Sequence, residues 1–349
     1  MKLKNLAAVL VKQHDKLSIY GLENLSFIPA GYVLVKIKYS GICHTQLNEI
    51  RGVLGKDKFL PHCIGHEGVG EVIKVGSGVK NIKIGETVVI SWIRNKLKKK
   101  KYNHVYYEYK GKKINTGGCN TLLNYSLVSD DRVFKINNKN KFIRESILLG
   151  CALPTASNAI LNIANINSNS NVLIMGMGGL GYSSLFVLNF IKCKRITCID
   201  SNPRRINLIK NLKNCSFLHM DKKKLKKFVI KNYESFDLII DCTGSNNLIE
   251  KTFSLCKKFG GQFIIIGNTK INEKILIKTW DIIFGKTLTG AWGQGGAIMN
   301  NFEINQNILI DQIKNIRKIL PKKNFKINQI NKAIKDFDAG KILRPIIKF

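Results

Sequence analysis

The sequence predicts an α/β protein in which a β-rich first part precedes a doubly wound parallel sheet. Residues 6–133 contain short apolar runs separated by glycine, asparagine and aspartate, which is typical of β-strands. Residues 171–268 alternate between strand-like and helix-like segments, which indicates βαβ units and parallel strands. A glycine-rich turn inside the second region adds a third observation.

The strand-like runs of the first part are short and apolar. They read LAAVLV, GYVLVKIKYSGI, GVGEVIKVGSGV, ETVVISWI and TLLNYSLV. The pattern changes at Arg144, where RESILLGCALPTASNAILNIA predicts helical structure. This segment leads into the second region without a linker rich in proline or serine, so we expect a tight domain boundary.

The second region opens with a pattern typical of dinucleotide-binding folds. An apolar run, Val172 to Met175, ends in the motif GMGGLG at residues 176–181. A second β-rich run closes on Asp200, 19 residues after the last motif glycine. A strand on each side of the glycine turn and an acid at this distance are the context that the fingerprint requires.

Each glycine of the motif has a physical role. Gly176 permits the tight turn, and Gly178 lets backbone N–H groups approach a pyrophosphate at a helix N-terminus. Gly181 lets the helix pack closely on the strand. Gly179 and Leu180 complete the motif and lie where we expect the helix to begin.

Asp200 predicts NAD as the cofactor. Its carboxylate would accept hydrogen bonds from the adenosine ribose hydroxyls and repel the 2′-phosphate of NADP. Arg204 and Arg205 follow closely and could soften that preference.

The remainder of the second region continues the alternation. FDLIIDCTGS predicts a strand and a glycine turn, residues 247–258 a helix, and GGQFIIIGN another strand. From about Ala297 the chain is helix-prone, and it finishes on the strand-like KILRPIIKF.

Composition excludes some classes of protein. The chain has 349 residues, 44% of them hydrophobic, and no apolar run of the length that spans a bilayer. Its N-terminus has too short an apolar core for a signal peptide, and nine scattered cysteines are typical of reduced thiols. We therefore expect a cytoplasmic protein.

The formal net charge of +34 could indicate a nucleic-acid partner. However, the excess is mostly lysine spread along the whole chain, with abundant asparagine and isoleucine, which favours a bias in genome composition. Lys96 to Lys101, next to several tyrosines, is the best nucleic-acid candidate, and a solvated loop is the preferred interpretation.

Three residues of the first part are candidate metal ligands: Cys43, His66 and Cys151. Each lies on a loop or at the end of an element, where glycines make room. Mixed cysteine and histidine ligands are common at catalytic zinc, which keeps a fourth position open. Spacing alone leaves the alternative that these are packed core residues.

With these residues in view, the sequence resembles the zinc-dependent medium-chain alcohol dehydrogenases along nearly its whole length. The motifs that carry the resemblance are, in order, GHEGVGEVIKVGSGV, KIGETVV, the GCALPT that contains Cys151, GMGGLG and KILRPIIKF. It implies a GroES-like catalytic domain at residues 1–152, an NAD-binding Rossmann domain at 153–295 and a return to the first domain at 296–349.

The resemblance also implies the role of each site residue. Cys43, His66 and Cys151 fall on the three zinc ligands, and Glu67 falls on a carboxylate beside the metal. Thr45 falls on the hydroxyl that passes the substrate proton outward.

The remaining site residues would serve the cofactor. His44 and Arg344 fall on cationic positions near its pyrophosphate, with an exposed loop histidine as the alternative for His44. Arg344 stands in an otherwise apolar tail, where a guanidinium needs an anion. The adenosine side would involve Asp200 and Arg205.

The sequence departs from the family in one segment and at two further residues. The region in which many members carry four cysteines of a structural zinc, Ser91 to Gly118, contains no cysteine. We therefore predict a single zinc and a lobe held by aromatic packing of Trp92, Tyr102, Tyr106, Tyr107 and Tyr109. Gln46 and Asn48 replace an aspartate beside the metal and a histidine of the proton relay, so both positions lose a titratable group.

The function predicted from these residues is a zinc-dependent oxidoreductase that transfers a hydride between an alcohol and NAD. Alternatives are a polyol, amino-alcohol or sugar-derivative dehydrogenase of the same fold, and an inactive binding member. The partners would be a small alcohol or carbonyl substrate and further copies of the chain, as a homodimer or homotetramer, with no membrane. We expect the edge strand for pairing within DIIFGKTLTGAWGQGGA.

Overall fold

The computed structural model describes residues 5–23, 27–95, 105–137, 140–209, 212–293 and 298–349. The predictions for Lys96 to Lys101 and for Tyr102 therefore fall outside the described residues. None of the helices in the described part is long and apolar enough to cross a membrane.

Strands and helices follow the order expected from the sequence. The strands are β1 (Asn5–Leu10), β2 (Ser18–Leu22), β3 (Tyr32–Gly41), β4 (His62–Cys63), β5 (Glu67–Val75), β6 (Thr87–Ser91), β7 (Tyr106–Tyr109), β8 (Lys112–Asn115), β9 (Tyr125–Ser129), β10 (Val133–Lys135), β11 (Asn171–Met175), β12 (Arg195–Asp200), β13 (Cys215–His219), β14 (Leu238–Asp241), β15 (Gln262–Ile265), β16 (Thr287–Gly290) and β17 (Ile346–Lys348). The helices are α1 (His44–Ile50), α2 (Ala152–Ser157), α3 (Gly179–Phe190), α4 (Pro203–Ile206), α5 (Lys222–Lys231), α6 (Asn246–Thr252), α7 (Thr279–Ile283), α8 (Ile298–Asp311), α9 (Ile313–Ile319) and α10 (Ile330–Asp338).

The chain divides into two compact units. The first combines Met1–Cys151 with Ala297–Phe349, and the second is Ala152–Gly296. The helical segment predicted from Arg144 is irregular: a 3₁₀ turn at Glu145–Gly150 precedes α2, and a π-helical turn at Asn158–Ile163 follows it.

Two sheets build the first unit. One has the strand order β2-β1-β4-β8-β7, and the other has the order β10-β6-β5-β3-β17, with β9 also paired to β3. Along β3, Val33, Val35 and Ile37 are at most 2% exposed, because alternate side chains of a strand point to one face. They pack with Val72, Val88 and other residues in a core of β-branched side chains.

The lobe between β6 and β9 contains the hairpin of β7 and β8. Its two-residue turn consists of Lys110 and Gly111, with φ of 50° and 72°, as a type I′ turn requires. The predicted aromatic packing is present in part: Tyr107 is 1% exposed, and the ring of Tyr109 stacks on that of Tyr20 at 4.0 Å. Tyr106 is 41% exposed and lies outside this core.

The second unit is a parallel sheet with the strand order β13-β12-β11-β14-β15-β16. All five neighbouring pairs are parallel. This is the order of a doubly wound dinucleotide-binding sheet, so the α/β prediction is confirmed. The central strand β11 buries Val172 to Met175 completely, because helices cover both faces of such a sheet.

Candidate metal centre and nucleotide site

The first residue of the candidate metal centre is Cys43, which immediately precedes α1. The strand β3 ends at Gly41, and Cys43 takes an extended conformation as the N-cap of the helix, with φ −95° and ψ 162°. Its Sγ lies 4.0 Å from the Sγ of Cys151, which follows the 3₁₀ turn. Two sulfurs at this distance are not a disulfide, whose S–S bond is about 2.05 Å.

His66 reaches the same place from the start of β5. The preceding Gly65 has φ 102°, and a Cβ there would lie 2.8 Å from side-chain atoms of both Leu122 and Thr121. Only glycine fits this turn, which sets the direction of His66. The ring Nδ1 lies 2.6 Å from Nε2 of Gln46, whereas the buried Nε2 of His66 has no hydrogen-bond partner.

The ligand atoms of Cys43, His66 and Cys151 lie within 4.8 Å of one another, and these three residues are called the metal triad below. In the part of the chain that the structure describes, no other group of three or more His, Cys, Asp or Glu residues meets this condition. Two sulfurs bound at about 2.3 Å to one tetrahedral zinc lie about 3.8 Å apart, close to the distance between the Cys43 and Cys151 sulfurs. The donor set, the spacing and the unpartnered Nε2 therefore fit a zinc ion.

The two thiols have opposite pKa shifts. The pKa of Cys43 is well below the usual thiol value, chiefly because the thiol of Cys151 lies beside it as a hydrogen-bond donor. The same contact, together with burial, raises the pKa of Cys151 well above the usual value. A bound divalent cation would favour the thiolate form of both.

Thr45 and His44 follow Cys43 on the first turn of α1. The Oγ1 of Thr45 lies 3.8 Å from the Cys43 sulfur, so its hydroxyl is beside the candidate metal position. His44 is exposed, and its ring meets the ring of Phe337 edge-on at 4.7 Å between centroids.

Glu67 and Arg344 form a buried ion pair next to the triad. Both carboxylate oxygens of Glu67 accept from Nη1 of Arg344 at 2.6 Å, and the side chains are 0% and 4% exposed. A guanidinium in the apolar tail was expected to need an anion, and within the chain that anion is Glu67. Burial raises the pKa of Glu67, and the guanidinium opposes this shift.

Two glycines make room for the Glu67 side chain. A Cβ on Gly41 would lie 2.4 Å from Oε1 of Glu67, and a Cβ on Gly150 would lie 2.8 Å from its Cα. The pairing with Arg344 and the role of Gly41 were missed from the sequence. The glycine immediately before Cys151 is the one local signal that could have indicated close packing there.

The candidate nucleotide site lies in the second unit, where β11 meets α3. Gly176 has φ 89°, and a Cβ on Gly181 would lie 2.0 Å from the carbonyl oxygen of Gly176, so both positions require glycine. Gly178 is the N-cap of α3, and a Cβ there would meet no atom within 4 Å. Gly179 and Leu180 form the first turn of the helix, whose free N–H groups suit an anion.

Asp200 stands at the end of β12 beside this turn. Its Oδ2 accepts from the Met177 backbone N–H and its Oδ1 from that of Asn202, both at 2.7 Å. The nearest nitrogen of Arg205, Nη1, lies 3.9 Å from Oδ2. Asp200 thus connects the end of β12 to the glycine turn through a hydrogen bond, and the guanidinium of Arg205 partly offsets its negative charge.

The family model of the alcohol dehydrogenase GroES-like domain matches residues 29–138. S-(hydroxymethyl)glutathione dehydrogenase from Haemophilus influenzae is 25% identical, over 99% of this chain and 98% of that protein. Alcohol dehydrogenase class-3 from Drosophila melanogaster is 26% identical, over 94% of each chain.

Solved structures have the same fold. A zinc-binding-domain alcohol dehydrogenase protein from Burkholderia ambifaria has a TM-score of 0.86 at 19% identity, over 100% of both chains. Benzyl alcohol dehydrogenase from Acinetobacter calcoaceticus has a TM-score of 0.82 at 21% identity, over 99% of this chain and 100% of that one. A zinc-binding dehydrogenase from Sinorhizobium meliloti bound to NADP has a TM-score of 0.77 at 16% identity, over 100% of both chains.

The fold and the donor set define the class: an oxidoreductase with a GroES-like domain and a parallel dinucleotide-type sheet. The resemblance to the zinc-dependent medium-chain alcohol dehydrogenases is confirmed, and so is the prediction of an alcohol dehydrogenase-type enzyme. The similarity to dehydrogenases of this kind covers nearly the whole chain.

Proposed function

We propose that this chain is a zinc- and NAD-dependent dehydrogenase that interconverts an alcohol and its aldehyde or ketone. The observation that carries the proposal is the group of Cys43, His66 and Cys151, whose ligand atoms lie within 4.8 Å of one another and in which Nε2 of His66 has no hydrogen-bond partner. We assign residues 1–152 and 296–349 to the catalytic domain and residues 153–295 to the cofactor domain.

The residues of the chain would divide the chemistry between them. A zinc ion held by the triad would supply a Lewis acid that lowers the pKa of an alcohol oxygen. The hydroxyl of Thr45 would accept the alcohol proton; its Oγ1 lies 3.8 Å from the Cys43 sulfur, which supports this role. Glu67 would adjust the field at the metal, and Arg344 limits its charge.

The proton would leave by a different route from that of members with a histidine at the position of Asn48. Asparagine cannot titrate, so water or the cofactor ribose would receive the proton from Thr45.

His44 is exposed on the first turn of α1. We propose that His44 and Arg344 lie near the cofactor pyrophosphate.

The nucleotide would bind at Gly176 to Gly181, with its pyrophosphate over the open side of Gly178. NAD would accept the hydride. The carboxylate of Asp200 favours a 2′-hydroxyl over a 2′-phosphate, and Arg205 reduces that preference without reversing it.

The proposal names a class of substrates. Primary alcohols are the first candidates, and S-(hydroxymethyl)glutathione is included because several relatives are named as dehydrogenases of this compound. Polyols, amino alcohols and sugar derivatives are the second group of candidates. An inactive binding member is disfavoured, because the triad, Thr45 and the glycine turn occur together in one chain.

A panel of these substrates, read by NADH absorbance, tests the proposal. We expect alcohol-dependent NAD reduction in a protein that contains one zinc per chain. We also expect kcat/KM to be at least about tenfold higher with NAD than with NADP, because a like charge facing the 2′-phosphate is unfavourable. A zinc-free protein that reduces neither cofactor with any member of the panel would overturn the proposal.

We further propose one zinc per chain, a cytoplasmic location and no nucleic-acid partner. The absence of cysteine from Ser91 to Gly118 supports the single zinc. All nine cysteines are free thiols, which suits a reducing compartment. The positive charge is spread along the chain rather than gathered in one stretch.

A homodimer or homotetramer would form through the edge of the parallel sheet in the second unit. The strand β16 is an edge strand, and apolar residues before and after it are exposed: Leu276 (84%), Trp280 (64%), Ile283 (63%) and Trp292 (66%). An exposed edge flanked by large apolar side chains suits pairing with a second copy.

Replacing Ile283 by glutamate is expected to convert this assembly to single chains of 39.4 kDa, because a charge would enter each side of the interface. Light scattering coupled to size exclusion measures the mass. The matched control is Ile230→Glu, since Ile230 is 71% exposed on α5, which follows the opposite edge strand β13. A native protein that is already a single chain would contradict the proposal.

A further inference from the structure

Gln46 connects two members of the metal triad through its carboxamide. It is the third residue of α1 and is 1% exposed. Its Oε1 accepts from the Cys43 backbone N–H at 2.9 Å, and its Nε2 lies 2.6 Å from Nδ1 of His66. Both ends of the amide are therefore engaged, in a place that is shielded from water.

A carboxamide has one accepting end and one donating end. When Oε1 faces Cys43, the amide N–H donates to Nδ1 of His66, so Nδ1 must be the ring nitrogen without a proton. In a neutral imidazole the proton then sits on Nε2. Because Nδ1 contacts Gln46, Nε2 is the nitrogen left to ligate a metal, and it has no hydrogen-bond partner.

Metal binding needs the other tautomer. A histidine that ligates through Nε2 carries its proton on Nδ1 and donates it to an acceptor. Turning the amide of Gln46 over would bring Oε1 to Nδ1–H, but the amide N–H groups would then face the backbone N–H of Cys43. When Nδ1 of His66 carries the proton, either orientation of the amide therefore leaves one hydrogen-bond donor facing another donor.

We propose that Gln46 is a positioning residue that holds His66 in the tautomer with a proton on Nε2, so that zinc binding must break one hydrogen bond of Gln46. The inference rests on the proposed zinc site. It implies that this chain binds zinc more weakly than its two sulfurs and one imidazole would otherwise allow. A carboxylate of the same length could accept from both Cys43 and His66, because both of its ends are acceptors.

The first test is Gln46→Glu, titrated with Zn²⁺ against a chromophoric chelator. We expect the zinc Kd to fall by about 10- to 100-fold, the size of effect typical of partners of metal-bound histidines. The matched control is Gln306→Glu, because Gln306 is 3% exposed in the same unit and its Oε1 also accepts a backbone N–H, that of Asn137. Its zinc Kd should stay within about twofold of the original.

The second test reads the tautomer itself, which an added negative charge alone would not explain. Histidine labelled with ¹⁵N gives separate signals for protonated and bare ring nitrogens, and the chain has six histidines. In the zinc-free protein at mildly alkaline pH, we expect the His66 proton on Nε2. In Gln46→Glu we expect it on Nδ1, and thermal unfolding verifies that each variant is folded.

The outcomes separate this inference from the proposed function. A proton on Nδ1 in the zinc-free original protein, or a zinc Kd that Gln46→Glu leaves unchanged, would overturn the role of Gln46 while a zinc enzyme stands. Absence of zinc binding in both proteins would overturn the proposed function and the inference together.

Discussion

Replacing Cys151 by serine is expected to remove zinc from the protein and to lower kcat/KM for alcohol oxidation by about 10³-fold or more. A serine hydroxyl keeps its proton near neutral pH, so the site would lose one of its two thiolates. A Lewis-acid metal contributes several kcal/mol to the barrier, and each 1.36 kcal/mol is tenfold in rate. Zinc content by mass spectrometry and initial rates of NADH formation measure both effects.

The control for this variant is Cys63→Ser. Cys63 is 2% exposed in the same unit and belongs to a core cluster rather than to the triad. We expect Cys63→Ser to keep one zinc per chain even if it loses some stability. A Cys151→Ser protein that retained a full zinc and its rate would show that the triad does not hold the catalytic ion.

Replacing Arg344 by methionine is expected to lower the free energy of unfolding by about 3–5 kcal/mol. Glu67 is 0% exposed, and both of its carboxylate oxygens accept from Nη1 of Arg344. Removal of the guanidinium would leave a carboxylate buried without its cation. Denaturant titration followed by tryptophan fluorescence measures the loss.

Two comparisons isolate the buried charge as the cause. The double variant Glu67→Gln with Arg344→Met should regain most of the lost stability, because no uncompensated charge remains. Arg51→Met removes another arginine from an ion pair, with Asp338 at 2.5 Å, whose side chains are 49% and 44% exposed. We expect this exposed pair to contribute at most about 1 kcal/mol. Equal losses in Arg344→Met and Arg51→Met would contradict the argument.

The glycine turn of the candidate nucleotide site could be predicted from the sequence because its constraints are local. The turn, the helix start and the following strand occupy one continuous stretch, and the glycines at 176 and 181 are required by φ or by contact within it. Asp200 was expected to face the ribose. Its hydrogen bonds to backbone N–H groups were not foreseen, because they depend on how two adjacent strands end.

The metal triad could be proposed from residue type but not placed. Cys43, His66 and Cys151 come from three separate segments, and only the pairing of β3 with β5 and the 3₁₀ turn beside them bring the ligand atoms together. The resemblance to a family supplied the assignment that spacing could not. Their roles as ligands remain a prediction that the zinc measurements test.

Other features of the site were outside the reach of sequence patterns. The ion pair of Glu67 and Arg344 joins residues 277 positions apart, and no periodicity links them. The departure at Gln46 was visible as lost charge, whereas its conflict with His66 depends on which atom of the amide faces which ring nitrogen. Such contacts depend on side-chain orientation, which a sequence pattern does not specify.

The return of the chain to the first unit has a consequence for biosynthesis. β17 pairs with β3, and Arg344 reaches Glu67 from the segment just before β17. On a ribosome, the strands of the first unit would emerge early and wait while the whole parallel sheet was translated. The nascent chain can thus assemble its second unit first, and the carboxylate of Glu67 lacks its guanidinium partner until residue 344 has left the exit tunnel.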